Sequence, residues 1–268
     1  MSYADNFDRA TGPFYEEVAD EAQVFEAAFS RGLPIMLKGP TGCGKTRLVE
    51  HMAHRLGVAL HTVSCHEDMT ATDLLGRYVL NGGDTEWVDG PLTRAVREGG
   101  ICYLDEIVEA RQDATVAIHS LTDHRRELNI ERLGGLRLRA ADGFGLVVSY
   151  NPGYQSVLKD LKMSTRQRMV AIELSFPPSS VELSILVEEA GVDEALAADL
   201  VRLGQAIRRA QDSGLREVAS TRALIMAAAL VDAGLSFRAA ALAAIAGPLT
   251  DDPALREALT VLIDTFAE

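Results

Sequence analysis

Residues 39–46 read GPTGCGKT. Gly39, Gly42 and Gly44 give the backbone the freedom to aim several N–H groups at one anion. Lys45 adds a cation that can reach a β/γ-phosphate, and Thr46 adds a hydroxyl that can ligate Mg2+. The spacing fits the phosphate-loop pattern, with Pro40, Thr41 and Cys43 completing the cradle. The apolar run LPIML precedes it and the helical run TRLVEHMAHRLG follows, so a helix N-terminus points at the same anion. The expected ligand is a nucleotide with Mg2+.

A second constellation is ICYLDE at 101–106. An apolar strand ends there in two acids. Asp105 is placed to hold the metal through water, together with Thr46. Glu106 is a candidate general base for the attacking water. An acid pair at this point argues for hydrolysis over transfer to a bound small molecule. In SYNPG, Asn151 follows another apolar strand, and ligands gather at the carboxyl ends of parallel strands. Asn151 is therefore a candidate for contacting the γ-phosphate or its water.

These residues need a sheet to carry them. Apolar strands are expected at 33–38, 59–65, 101–105, 145–150 and 169–176. Helical periodicity covers 16–31, the stretch from Thr46 to Gly57, and the segment GPLTRAVREGG. Residues 109–127 and VLKDLKMSTRQR also read as helical. NGGD at 81–84 marks one hairpin, and Gly134-Gly135 lies in a second hairpin candidate. After Pro177-Pro178 every segment is Ala/Leu-rich with helical spacing. The expected fold is α/β with a parallel three-layer sheet over residues 1–176, followed by a small all-α domain over 177–268.

Composition narrows the function class. The chain has 268 residues, 47% of them hydrophobic, and a formal net charge of −13. That charge disfavours nucleic acid and anionic membranes as partners. Only four of the 26 basic residues are lysine. No run of 18 apolar residues occurs, and MSYADNFDRA does not resemble a signal peptide, so a cytoplasmic location is expected. Cys43, Cys65 and Cys102 fit no zinc spacing and read as buried, reduced thiols.

Taken in order, GPTGCGKT, ICYLDE, SYNPGY, TRQRM and STRAL resemble an AAA+ ATPase. DLLGRYV…WVDGPL resembles the helix-2 insert of the MoxR branch, and ELNIERLGGLRLRA resembles its pre-sensor-1 hairpin. SYNPGYQSVLKDLK is most similar to the CbbQ/NorQ group within that branch. The resemblance implies that Asn151 is sensor 1 and Arg222 is sensor 2, acting in cis from the helical lid. It implies an arginine finger at Arg168, reaching a neighbouring subunit's nucleotide, with Arg166 as the alternative. Met169 stands where many relatives have Phe, which leaves that register open. A homo-hexameric ring is the family's usual state.

The family resemblance also implies partners. CbbQ relatives work with CbbO, an adaptor carrying a von Willebrand A domain, to release inhibitory sugar phosphates from Rubisco. NorQ relatives act with NorD in nitric oxide reductase maturation, in metal insertion. The sequence leans to Rubisco as client. The two hairpins, with Tyr78 and Trp87 in the first and Arg137 and Arg139 in the second, are candidate contacts to client or adaptor. Trp87 packing only its own hairpin is the simpler alternative. A nucleotide-switched scaffold and a nucleic-acid motor are the competing classes, the latter disfavoured by charge.

Overall fold

The computed structural model describes residues 12–151, 161–210 and 217–267. The chain divides into two units. The first is built mainly from Ala19–Pro40 and Lys45–Leu174, the second from Phe14–Val18, Thr41–Gly44 and Ser175–Glu268.

In the first unit the strands run β1 (Ile35–Lys38), β2 (Leu60–Ser64), β3 (Gly76–Asn81), β4 (Asp84–Asp89), β5 (Gly100–Asp105), β6 (Glu127–Ile130), β7 (Leu136–Arg139), β8 (Phe144–Tyr150) and β9 (Val170–Glu173). Five of them form one parallel sheet in the order β2-β5-β8-β1-β9. Every residue of β8 is buried, as are the first five of β5, which is why both read as unbroken apolar runs. The remaining strands make two antiparallel hairpins, β3–β4 and β6–β7, at the positions the glycine turns indicate.

The helices of this unit are α1 (Glu21–Ser30), α2 (Lys45–Leu56), α3 (Ala71–Leu75), α4 (Pro91–Glu98), α5 (Gln112–Ala117) and α6 (Met163–Arg166). Pro91 opens α4, where its missing N–H costs nothing. Leu92 and Val96 of α4 are fully buried, and side chains of this size gain roughly 1.5–3 kcal/mol each on leaving water.

Two helical expectations are corrected. The continuous helix over 109–127 is not formed. Tight three-residue turns at Ile107–Glu109 and His119–Leu121 flank a six-residue α5, and β6 takes over at Glu127. Glu127 and Leu128 have hairpin partners in Arg139 and Leu138, and tertiary pairing overrides local periodicity. In VLKDLKMSTRQR the helix spans only Met163–Arg166, and residues 152–160 lie outside the described residues.

The second unit is helical among its described residues: α7 (Ser179–Ala190), α8 (Glu194–Arg209), α9 (Thr221–Asp232), α10 (Phe237–Ala241), α11 (Gly247–Leu249) and α12 (Pro253–Asp264). A wider-turned stretch, Leu242–Ala246, joins α10 to α11. Asp193, Ser220 and Asp252 cap α8, α9 and α12 by accepting from backbone N–H groups of the first turn. Leu200, Leu203, Ile207, Leu224 and Ile245 form its core. Glu182 of α7 is fully buried and takes both arms of Arg208 at 2.8 and 2.6 Å. Thr221 donates to the same carboxylate at 2.6 Å, and the Arg208 guanidinium lies 4.2 Å from the Phe176 ring.

Candidate active site

The sheet brings the chemistry-bearing residues to one edge. Lys38, the last residue of β1, pairs with Tyr150, the last residue of β8. The loop starting at Gly39 and the residue Asn151 therefore leave adjacent strands at the same level. β5 lies on the other side of β8 and ends at Asp105 on that same edge.

The glycine loop is shaped for an anion. Gly42 and Gly44 adopt φ of 73° and 99°, a region other residues enter only at a cost. Lys45 is 9% exposed, and its Nζ donates to the carbonyls of Gly39 and Pro40 at 2.8 Å each. Two neutral acceptors compensate a buried ammonium poorly, so the site favours an anionic ligand. Cys43 is half-buried, a correction to the expectation that all three thiols are buried; Cys65 and Cys102 are.

Four oxygen-bearing side chains converge at the start of α2. Thr46 Oγ1 is 3.3 Å from the Tyr103 hydroxyl and 3.5 Å from Asp105 Oδ2. Tyr103 donates to Asp105 Oδ1 at 2.7 Å, and the Ser149 hydroxyl donates to that same oxygen. Burial, and then the charge of Asp105, raises the Tyr103 phenol, which keeps it protonated and able to donate. Because the Tyr103 proton goes to Asp105 Oδ1, the single Thr46 proton is left to serve both the Tyr103 oxygen and Asp105 Oδ2, and Thr46 keeps lone pairs for a metal. Thr46 and Asp105 are hard oxygen donors, which suits Mg2+.

Glu106 stands next on the chain in a left-handed conformation, φ 56° and ψ 45°, unusual for a residue with a side chain. Its N–H donates to Ser149 Oγ at 3.0 Å. Glu106 is exposed.

The arginines are placed differently. Arg166 and Arg168 lead into the first residue of β9, Val170, which pairs with Ile35 at the start of β1. The loop follows the far end of β1, about 10 Å along the strand. Arg168 is exposed and lies 4.0 Å from Asp123, while Arg166 lies 5.8 Å from the Tyr150 ring centroid. Arg222 is the second residue of α9 in the second unit and is exposed.

Sequence reasoning missed Tyr103, Ser149 and Asp123. A signal existed for two of them. Tyr103 and Asp105 share a strand face by the two-residue period, and Ser149 is a lone hydroxyl in the apolar run GLVVSY.

The AAA domain of the dynein-related subfamily matches residues 34–169, and the CbbQ/NirQ/NorQ C-terminal region matches 182–266. The chain belongs to the CbbQ/NirQ/NorQ family of MoxR-type AAA+ ATPases. Its match to the denitrification regulatory protein NirQ of Stutzerimonas stutzeri is 58% identical, over 90% of this chain and 87% of that one. Protein NorQ of Paracoccus denitrificans is 56% identical over 92% and 91%, and protein CbbQ of Hydrogenophilus thermoluteolus is 51% identical over 95% of each. The loop, Asp105, Glu106 and Asn151 fall inside the AAA match, and Arg222 falls inside the CbbQ/NirQ/NorQ match. Among the described residues, no helix of this CbbQ/NirQ/NorQ-family chain is long and apolar enough to cross a membrane.

Proposed function

We propose that this protein is a cytoplasmic ATP-driven remodelling ATPase, working as a homo-hexameric ring, that matures an enzyme of denitrification with the help of a von Willebrand A-type adaptor. The observation that carries the ATPase part is the convergence of Thr46, Tyr103, Asp105 and Ser149 at the start of α2, next to the buried Lys45.

The residues divide the work. Backbone N–H groups of 39–44 and the Lys45 ammonium hold the phosphates. Thr46 and Asp105 hold Mg2+, which neutralises charge on the phosphate oxygens. Glu106 takes the proton of the attacking water, and Asn151 orients that water from the end of β8. Arg168, at the opposite end of the sheet from its own loop, serves the neighbouring subunit, which makes turnover depend on assembly. Arg222 contacts the nucleotide of its own chain.

For the client, identity of 58% and 56% to NirQ and NorQ against 51% to CbbQ supports nitric oxide reductase over Rubisco. Rubisco is kept as the second reading because the CbbQ match spans 95% of both chains.

Stimulation of ATPase activity by a NorD-type adaptor, with recovery of reductase activity, tests the proposal. Stimulation by CbbO with Rubisco instead would move the client. Lys45→Ala should abolish ATP binding. Equal support of the client by Glu106→Gln and the unaltered protein would mean a nucleotide-switched scaffold, not a motor.

A further inference from the structure

Ser149 is fully buried, and its hydroxyl joins two strands at the point where the chemistry happens. It donates to Asp105 Oδ1 and accepts from the Glu106 N–H at 3.0 Å. Asp105 Oδ1 also receives the Tyr103 hydroxyl at 2.7 Å. One oxygen of the carboxylate is thus held by two hydroxyls. Its other oxygen, Oδ2, is turned toward Thr46 at 3.5 Å. Two hydrogen bonds to one oxygen restrain the carboxylate's rotation, so Oδ2 stays turned toward Thr46.

The second bond acts on Glu106. That residue has a positive φ, a conformation costing about 1 kcal/mol for a residue with a Cβ. An N–H partnered inside the sheet holds it there. The same hydroxyl therefore sets the metal-binding acid and the candidate base together. Ser149 also lies on β8 two residues before Asn151, so all three groups share one rigid reference.

We infer that Ser149 is a positioning residue for the hydrolytic site, its hydroxyl orienting Asp105 and Glu106 at once from the strand that carries Asn151. This rests on the ATPase reading and adds a residue to it.

Binding of Mn2+ to the ADP-bound full-length protein, followed by its paramagnetic signal, tests this apart from turnover. Ser149→Ala should weaken Mn2+ binding roughly tenfold, and turnover by a similar factor or more, as loss of an outer partner of a metal ligand does. Metal-free ADP should bind as before. Ser149→Thr should restore both readouts, whereas Ser149→Val, of the same shape without the hydroxyl, should behave like the alanine variant. Unchanged Mn2+ binding in Ser149→Ala overturns the assignment. So does a threonine variant as impaired as the valine one, which would mean that only packing matters. An unaltered protein that binds neither ADP nor Mn2+·ADP removes the nucleotide reading itself, and this inference with it.

Discussion

Arg168 Nη1 lies 4.0 Å from Asp123 Oδ2, a carboxylate that Arg125 already grips at 2.6 Å. Arg168 is thus the outer, loosely held member of a two-arginine cluster, and its side chain is 45% exposed. Exposed pairs of this kind contribute little to stability, so the guanidinium is available at small cost. Arg166 instead faces the Tyr150 ring of its own chain.

Arg168→Ala should therefore keep ATP binding and lose turnover about a thousandfold. Mixing it with Glu106→Gln subunits should restore activity, because each then completes a site for the other. Normal turnover in Arg168→Ala, with loss in Arg166→Ala, would shift the assignment by two residues.

Asp123 has a predicted acid response. Hydrogen bonds from the Arg125 side chain, above all, lower its carboxyl to about 2. An unfolded aspartate titrates near ~4. The lowered value means a stabilising contribution present above that pH and lost as pH falls toward 2. Thermal melts of Asp123→Asn should approach those of the unaltered protein as pH drops through this window. A gap that stays constant from neutral pH to about 2.5 would contradict the pairing.

Glu106→Gln should bind ATP with unaltered affinity and slow hydrolysis by about a hundredfold or more, the usual worth of a positioned base. Quenched-flow measurement of the cleavage step separates this from slow product release. A cleavage rate within threefold of the unaltered protein would remove Glu106 as the base.

Thiol chemistry should distinguish the three cysteines. Burial, then the charges of Asp105 and Glu106, push the Cys65 thiol up to about 12, and burial raises Cys102 as well. At pH 8 the Cys65 thiol is therefore almost wholly protonated, whereas an ordinary thiol is partly thiolate. Iodoacetamide followed by peptide mass spectrometry should mark Cys43 first, and ATP with Mg2+ should protect it. Early labelling of Cys65 would mean the strand edge opens.

The Glu182–Arg208 pair is largely buried in the second unit, with Glu182 fully enclosed. Removing one partner leaves a buried charge, so Arg208→Ala should cost about 3–5 kcal/mol by denaturant unfolding. A cost below 1 kcal/mol would mean that water reaches Glu182.

The phosphate-loop motif of this AAA+ family chain was legible in the sequence alone. A phosphate loop is contiguous, its residue types follow from the phosphate it must hold, and its flanking strand and helix are read from local periodicity. The same holds for the central strands, since burial on both faces leaves an unbroken apolar run in β5 and β8. Tertiary structure decided what depends on residues distant in sequence. Nothing local shows that Ser149 meets Asp105 and Glu106, 44 and 43 residues away, because strand order and register bring them together. Nothing local stops the 109–127 periodicity at Ala117, since the pairing that claims Glu127 comes from Arg139. The tertiary fold also decided how Trp87 packs. It packs edge-on to Tyr78 at 5.1 Å and against the core, leaving Leu80, 83% exposed, at the hairpin tip. Periodicity is a property of neighbours along the chain, whereas hydrogen-bond partners and solvent exposure are properties of neighbours in space.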